Sequence, residues 1–499
     1  MRVLTLLFLL SIAGKGLPAQ EVDRTLPEFS LNQHELAGQM HFLASDYLAG
    51  RRTGSVGNEI AAEYLAAQLR GYGFRPANGA SFFQDVPLRS VDAPERATLT
   101  IGDTQYTTGE DLLQMRGPAL EREAPVVYAN YGWVDDDHDD YANLDVAGKI
   151  VIVRSGIPGT PGQAGIFRGV REKPALAAAR GAVAVFEIYA MPFPWANFRG
   201  YLGGERIGLA PEGEAATLPY GFLNAGGLAE RLTAGGKSTR GRISTSGMRS
   251  RDIRSRNVAG ILPGTDPALA EEYILLTAHF DHVGVGRQGG GAYTPQDSIF
   301  NGSRDNAFGT ISLLAAARSF AERPTRRPVI VLGVTGEEMG LLGSEYYAGH
   351  PLVPLEQTVY NFNTDGGGYN STGHIALLGA GRTGIDDQVA TAAAAFGLGV
   401  INDPAPEQNL YDRSDNVSFA ARGVPALTFS PGMTDMNEEI FRYYHQVTDN
   451  PETIDFAYLR AYCQAFTLAA RLIADRDERP YWAEGDKYEP AGDKLYGGK

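Results

Sequence analysis

Residues 275–284, LLTAHFDHVG, end an apolar run in a histidine, an aspartate and a second histidine, in a chain with only eight histidines. His279 and Asp281 lie two apart. On a strand, where side chains alternate, they point the same way. A carboxylate beside an imidazole can orient the ring and raise its basicity, the support that a metal-ligating histidine commonly has. A hydrogen-bonded core histidine is the plainer reading of an isolated His-x-Asp. By the same alternation His282 faces the other way and reads as a structural loop residue.

Three further apolar runs end in acid. DSIFNGSRDNAFG carries Asp305 before a helix start, VIVLGVTGEEMG ends in Glu337 and Glu338, and TVYNFNTDGGG ends in Asp365. Singly, these are an N-cap, a first-turn helix charge and a turn residue. Together they put carboxylates at the carboxyl ends of successive strands, where like charges repel unless something positive sits among them. FRYYHQVTDN adds His445 as a second nitrogen donor. A nitrogen and oxygen set without sulfur suits a pair of divalent ions such as Zn²⁺. Paired ions sit ~3.5–4 Å apart in two-metal hydrolases, so one carboxylate should bridge them. Glu337 and Glu338 diverge in direction as neighbours, leaving one to bind metal and the other to carry a proton.

The elements that must position these residues follow from the periodicity. From about 254 to 475 apolar strands alternate with helices, which predicts an α/β fold with a mostly parallel central sheet flanked by helices. Open sheets of that kind bind ligands at the carboxyl ends of their strands. Residues 32–72 read as two helices around the polar turn RRTGSVGN. Between 112 and 250 β-branched runs and Gly/Pro punctuation predict a strand-rich inserted second domain. The expected division is a signal peptide over 1–20, a discontinuous catalytic domain over 21–111 and 251–475, an insert over 112–250, and a polar tail over 476–499.

At 499 residues the chain exceeds one compact core. Its 43% apolar and 21% charged residues are those of a soluble globular protein. A net charge of -15 argues against non-specific nucleic-acid binding. Cys463, the one cysteine, excludes an intramolecular disulfide and a cysteine zinc site, and its helical apolar context places it in the core. The first residues, MRVLTLLFLLSIAGKGLPAQ, read as a secretory signal cut near Ala19 or Gln20, too short in its apolar run to span a bilayer comfortably. The expectation is export to the periplasm or the extracellular space, with no stable membrane insertion. GVGRQGGGAY lacks the context of a phosphate loop, DDDHDD reads as a solvated turn, and no Gly-x-Ser-x-Gly elbow marks a serine hydrolase.

HFDHVG, QDSIFNGSRDNAFG, TGEEMGLLGSEYY, NTD and YHQVTD together resemble the co-catalytic di-zinc aminopeptidase family, as does FLASDYLAGRRTGSVGN near the start. The middle, with YGWVDDDHDDYANLDVAGKIVIVRSG, is similar to the protease-associated domain inserted in many members. The resemblance implies a zinc-exopeptidase fold holding two Zn²⁺ ions per chain. His279 and Asp365 would hold one ion and Glu338 and His445 the other, with Asp305 bridging. Glu337 would be the general base for a zinc-bridging hydroxide, Tyr444 would donate to the tetrahedral oxyanion, Asp281 would steady His279, and Asp449 would do the same for His445. It implies peptide substrates and an aminopeptidase, a carboxypeptidase or dipeptidase of the same fold being the alternative. In that case Arg304 and Arg413 are the candidate carboxylate donors. A single-zinc glutaminyl cyclase relative and a non-catalytic, receptor-like relative are further rivals. The chain departs from the family at Arg304, beside the bridging aspartate, at Phe308 in place of a frequent serine, and at Asn416 where histidine is usual. These departures bear on the substrate pocket rather than on the ligands. The oligomeric state is not legible.

Overall fold

The computed structural model describes residues 22–160, 163–191, 194–210, 218–234 and 239–497, so the expected signal segment lies outside the described residues. The chain divides into two compact units, one built from 1–86 and 255–499 and the other from 87–254.

The first unit is organised on the part of β1 (Phe83–Asp92) before residue 87, the part of β2 (Arg249–Leu262) after residue 254, and strands β3 (Tyr273–His279), β4 (Val329–Val334), β5 (Thr358–Thr364), β6 (His374–Leu378), β7 (Gly399–Asn402) and β8 (Ala426–Pro431). Their order across the sheet is β7-β6-β8-β5-β3-β4-β2-β1. The four central strands β8, β5, β3 and β4 are parallel to one another, as are β6 and β7. β6 runs antiparallel to β8, and β2 antiparallel to β4. The sheet is therefore mixed rather than mostly parallel. An apolar run reports that both faces are covered but not which way the strand points, and β4 and β8 are buried along their whole length beside neighbours of both directions.

Helices α1 (Gln33–Leu43), α2 (Val56–Gly71), α3 (Phe308–Glu322), α4 (Leu342–Gly349), α5 (Asp386–Ala395) and α6 (Phe456–Ala474) cover the sheet. Residues from α1, α2, α3, α5 and α6 share one apolar core with β3, β4 and β5. Asp455 caps α6 by accepting from the backbone N–H groups of Ala457 and Tyr458. Cys463, in α6, is fully buried, and burial pushes its thiol up to about 12. The described part of the polar tail is packed: Trp482 is buried, Arg382 pairs with Asp486, and the hydroxyl of Tyr496 donates to the Thr358 carbonyl at 2.6 Å. Among the described residues no helix is long and apolar enough to cross a membrane.

The second unit has its own eight-stranded sheet with an apolar core on each face. It begins earlier than residue 112 because Ala97–Ile101 pairs antiparallel with Thr239–Thr245, a partner some 140 residues away that composition does not reveal. In its interior Lys173 and Glu187 form a fully buried ion pair at 2.9 Å, and the Tyr220 hydroxyl donates to Glu187.

Candidate metal centre

The three central parallel strands end together. His279 is the last residue of β3, Glu337 and Glu338 follow β4, and Asp365 follows β5. Asp305 lies in the short turn before α3, and His445 follows the short helix Glu438–Phe441 with φ of 53°. In space these six side chains line one cavity together with Tyr444.

Asp305 occupies the middle. Its Oδ1 lies 3.4 Å from Nε2 of His279, and its Oδ2 lies 3.2 Å from Nε2 of His445. His279 Nε2 also meets Asp365 Oδ1 at 3.0 Å, and His445 Nε2 meets Glu338 Oε2 at 3.0 Å. The ligating atoms fall into two groups, each within 4.8 Å of one another: His279, Glu337 and Asp365 in one, His282, Asp305, Glu338 and His445 in the other.

His282 is the residue that the sequence placed wrongly. It turns inward, with Nδ1 2.7 Å from Glu338 Oε1 and its ring 5.5 Å from that of His445. β3 stops at His279, so the alternation that would send His282 away no longer applies three residues later. The same turn alters the expected part of Asp281. Its carboxylate is 3.8 Å from His279 Nδ1, which lies nearer the Asp281 carbonyl at 3.3 Å. The carboxylate instead accepts from the backbone N–H of Glu337 at 3.2 Å and from the Thr53 hydroxyl at 2.9 Å. It thus orients the Glu337 backbone as well as flanking the histidine. Asp449 also departs from expectation. It accepts from the backbone N–H of Arg304 at 2.9 Å and pairs with the Arg304 guanidinium at 3.2 Å, so it braces the Asp305 turn rather than His445.

Two other neighbours escaped the sequence because their partners are distant. Ser414 donates its hydroxyl to Asp365 Oδ2. Arg51, fully buried, donates to the carbonyls of Leu43, Phe280, Asn301 and Gly302 at 2.5–2.9 Å, tying the N-terminal turn to the segments that carry His279 and Asp305. Arg304 is engaged within the fold: besides Asp449 it donates to the hydroxyl and carbonyl of Thr453, and its guanidinium carbon lies 3.6 Å from the ring centroid of Tyr443. It is buried, which removes it as a donor to substrate.

The electrostatics show what the cluster demands. Burial pushes Glu337 well above the usual carboxylate range, reinforced by Asp365, Glu338 and Asp415 against the pull of His279. Burial alone would raise Glu338 and lower His445. The carboxylate–imidazole contacts reverse both, holding Glu338 down to about 2 and lifting His445 to about 10. His279 is lifted likewise by Asp365 and Glu337 against its burial. Crowded carboxylates in a buried site draw positive charge onto whatever can carry it. Divalent cations meet that demand without a proton. A donor set of two or three imidazoles and three or four carboxylates, with no thiolate, fits zinc.

The fold and the site together define the class, an α/β domain with a candidate metal centre, several of whose ligands follow the carboxyl ends of parallel strands. The family model of Peptidase family M28 matches residues 257–469. Aminopeptidase YwaD of Bacillus subtilis is 25% identical over 214 residues, covering 42% of this chain and 43% of the relative. The vacuolar membrane protease of Saccharomyces cerevisiae (strain ATCC 204508 / S288c) is 32% identical over 116 residues, 23% of this chain and 10% of the relative. The matches thus span less than half the length of either curated relative. Among solved structures, an aminopeptidase from Aneurinibacillus sp. strain AM-1 superposes with a TM-score of 0.59 at 21% identity, over 93% of this chain and 99% of that one, which shows a shared fold.

Proposed function

We propose that the protein is an exported di-zinc aminopeptidase that releases N-terminal residues from peptides. The observation that carries this reading is the Asp305 carboxylate, whose two oxygens face two separate imidazoles, His279 and His445, as a bridge between two ions requires. His279 and Asp365 would hold one ion, Glu338 and His445 the other. When bound, such ions polarise a carbonyl and lower the pKa of water.

The remaining steps belong to the chain's own side chains. Glu337 lines the cavity, and no hydrogen bond from a described residue reaches its carboxylate. It would accept the proton of the attacking water and pass it to the departing amine, a transfer typically worth about 10²–10⁴-fold in rate. Asp281 holds its backbone through the N–H of Glu337. Tyr444 lies against His445, with ring centroids 4.2 Å apart, and burial keeps its hydroxyl protonated, so it would donate to the developing oxyanion. Leu378, Met433, Met436 and Ile440 give the cavity an apolar wall for a side chain.

The N-terminal pattern supports export, and paired His and Asp/Glu groups support two ions per chain. Glu337→Gln tests the assignment. The variant should retain the metal content of the parent while turnover of aminoacyl amides falls by at least about a hundredfold. Near-normal turnover refutes Glu337 as the base. Peptides blocked at the N-terminus or at the C-terminus decide which end is read, and elemental analysis counts the ions.

A further inference from the structure

The cavity that holds the candidate metal centre contains one charged residue, among the described residues, that the mechanism does not use. Arg413 lines it beside Leu410, Met436 and Tyr444, and it is the one Arg or Lys among the lining residues. Its side chain is exposed, and no described residue forms an ion pair or hydrogen bond with it. The neighbouring acid does not neutralise it: Asp412 is taken by Lys487 at 2.5 Å and by the Tyr488 hydroxyl at 3.0 Å. The backbone under it is fixed. Arg413 closes the short helix Leu410–Arg413, and the next residue, Ser414, is bonded to Asp365.

The charges make this position unusual. Asp305, Glu337, Glu338 and Asp365 line the same cavity, and none of them forms an ion pair with the guanidinium, whereas Asp305, Glu338 and Asp365 each meet an imidazole. Arginine's planar fork of donors matches a carboxylate in two parallel hydrogen bonds. With Arg304 buried against Asp449 and Thr453, Arg413 alone of the two arginines flanking the site can reach a ligand.

We infer that Arg413 recognises a carboxylate of the substrate, so that the enzyme favours peptides with an acidic side chain or a free C-terminus close to the scissile bond. This rests on the aminopeptidase reading above. A side-chain carboxylate and a chain-terminal one share this chemistry, and three pairs of peptides separate them. Glu-Leu-amide against Gln-Leu-amide places the charge on the first residue, Leu-Glu-amide against Leu-Gln-amide on the second, and Leu-Leu against Leu-Leu-amide at the chain end.

The measured quantity is the ratio of kcat/KM within each pair, for the parent, Arg413→Met and Arg413→Lys. A ratio cancels differences in folded or metal-loaded fraction between variants. A charge-assisted hydrogen bond predicts a preference for the acidic member of about tenfold or more in at least one pair. It should sit mainly in KM, fall to near one in Arg413→Met and be partly kept in Arg413→Lys. Ratios near one in all three pairs for the parent, or a preference that survives Arg413→Met, overturn the inference while leaving the aminopeptidase reading intact. A metal-loaded parent that cleaves none of the six peptides overturns both.

Discussion

His282 and Glu338 meet at 2.7 Å within the cluster, and His282 Nε2 is buried with no hydrogen-bond partner among the described residues. A group that holds a metal ligand in orientation typically alters metal affinity by about 10–100-fold when removed. His282→Phe should therefore weaken zinc binding by about that factor, read by competition with a chromogenic chelator, while leaving the fold intact by circular dichroism. Unchanged affinity would return His282 to a purely structural part. Asp281 calls for a different readout. Because its carboxylate holds the Glu337 N–H and the Thr53 hydroxyl, Asp281→Asn should reduce kcat more than it reduces metal content. Equal losses would mean that it serves His279 alone.

At the scale of elements, the turn between α1 and α2 is a structural part of the site. Arg51 donates to four carbonyls from three chain segments, two of which carry ligands. Truncating it removes that donor from all four carbonyls, of which Gly302 keeps the Ala307 N–H, and each buried group left without a partner costs about 1–3 kcal/mol. Arg51→Met should therefore destabilise the protein by at least about 3 kcal/mol in urea unfolding. A loss under about 1 kcal/mol would show that the loops hold themselves. Residues 32–72 were legible as two helices around the polar turn RRTGSVGN, and α1 and α2 lie within that span. That its arginine reaches 250 residues along the chain was not, because a donor's partner leaves no mark on the donor's own neighbours. The direction of β2 and β6 was hidden for a related reason. Burial sets the composition of a strand, whereas direction is set by the connections between strands.

For the whole molecule, the balance of buried charge is the organising quantity. Ions that bind the folded state alone stabilise it by mass action, about 2.7 kcal/mol at a hundred times Kd. Exhaustive chelation should lower the unfolding temperature of the first unit, and added zinc should restore it in a concentration-dependent way. Indifference to zinc would contradict a metal centre. The second unit carries its own buried charge in Lys173–Glu187, where burial pushes the lysine down and the glutamic acid up against their mutual attraction. Lys173→Met leaves the Glu187 charge without its cation in an apolar interior, a change worth about 3–5 kcal/mol, whereas the double variant Lys173→Met/Glu187→Leu should recover part of it, the Tyr220 hydroxyl and the Arg154 carbonyl having lost their partners. Urea unfolding of the three proteins measures both values.

By itself the sequence determined which residue types end the apolar strands, and hence that nitrogen and carboxylate donors of one kind would gather at one edge of an α/β sheet. Local pattern carries that information because burial and side-chain alternation act over a few residues. Only the tertiary structure decided that His282 faces the cluster, that Asp449 and Arg304 pair with each other, that no described residue pairs with Arg413, and that the sheet is mixed. Each of these depends on which groups meet across long stretches of chain, where a buried charge finds its compensation or fails to find it.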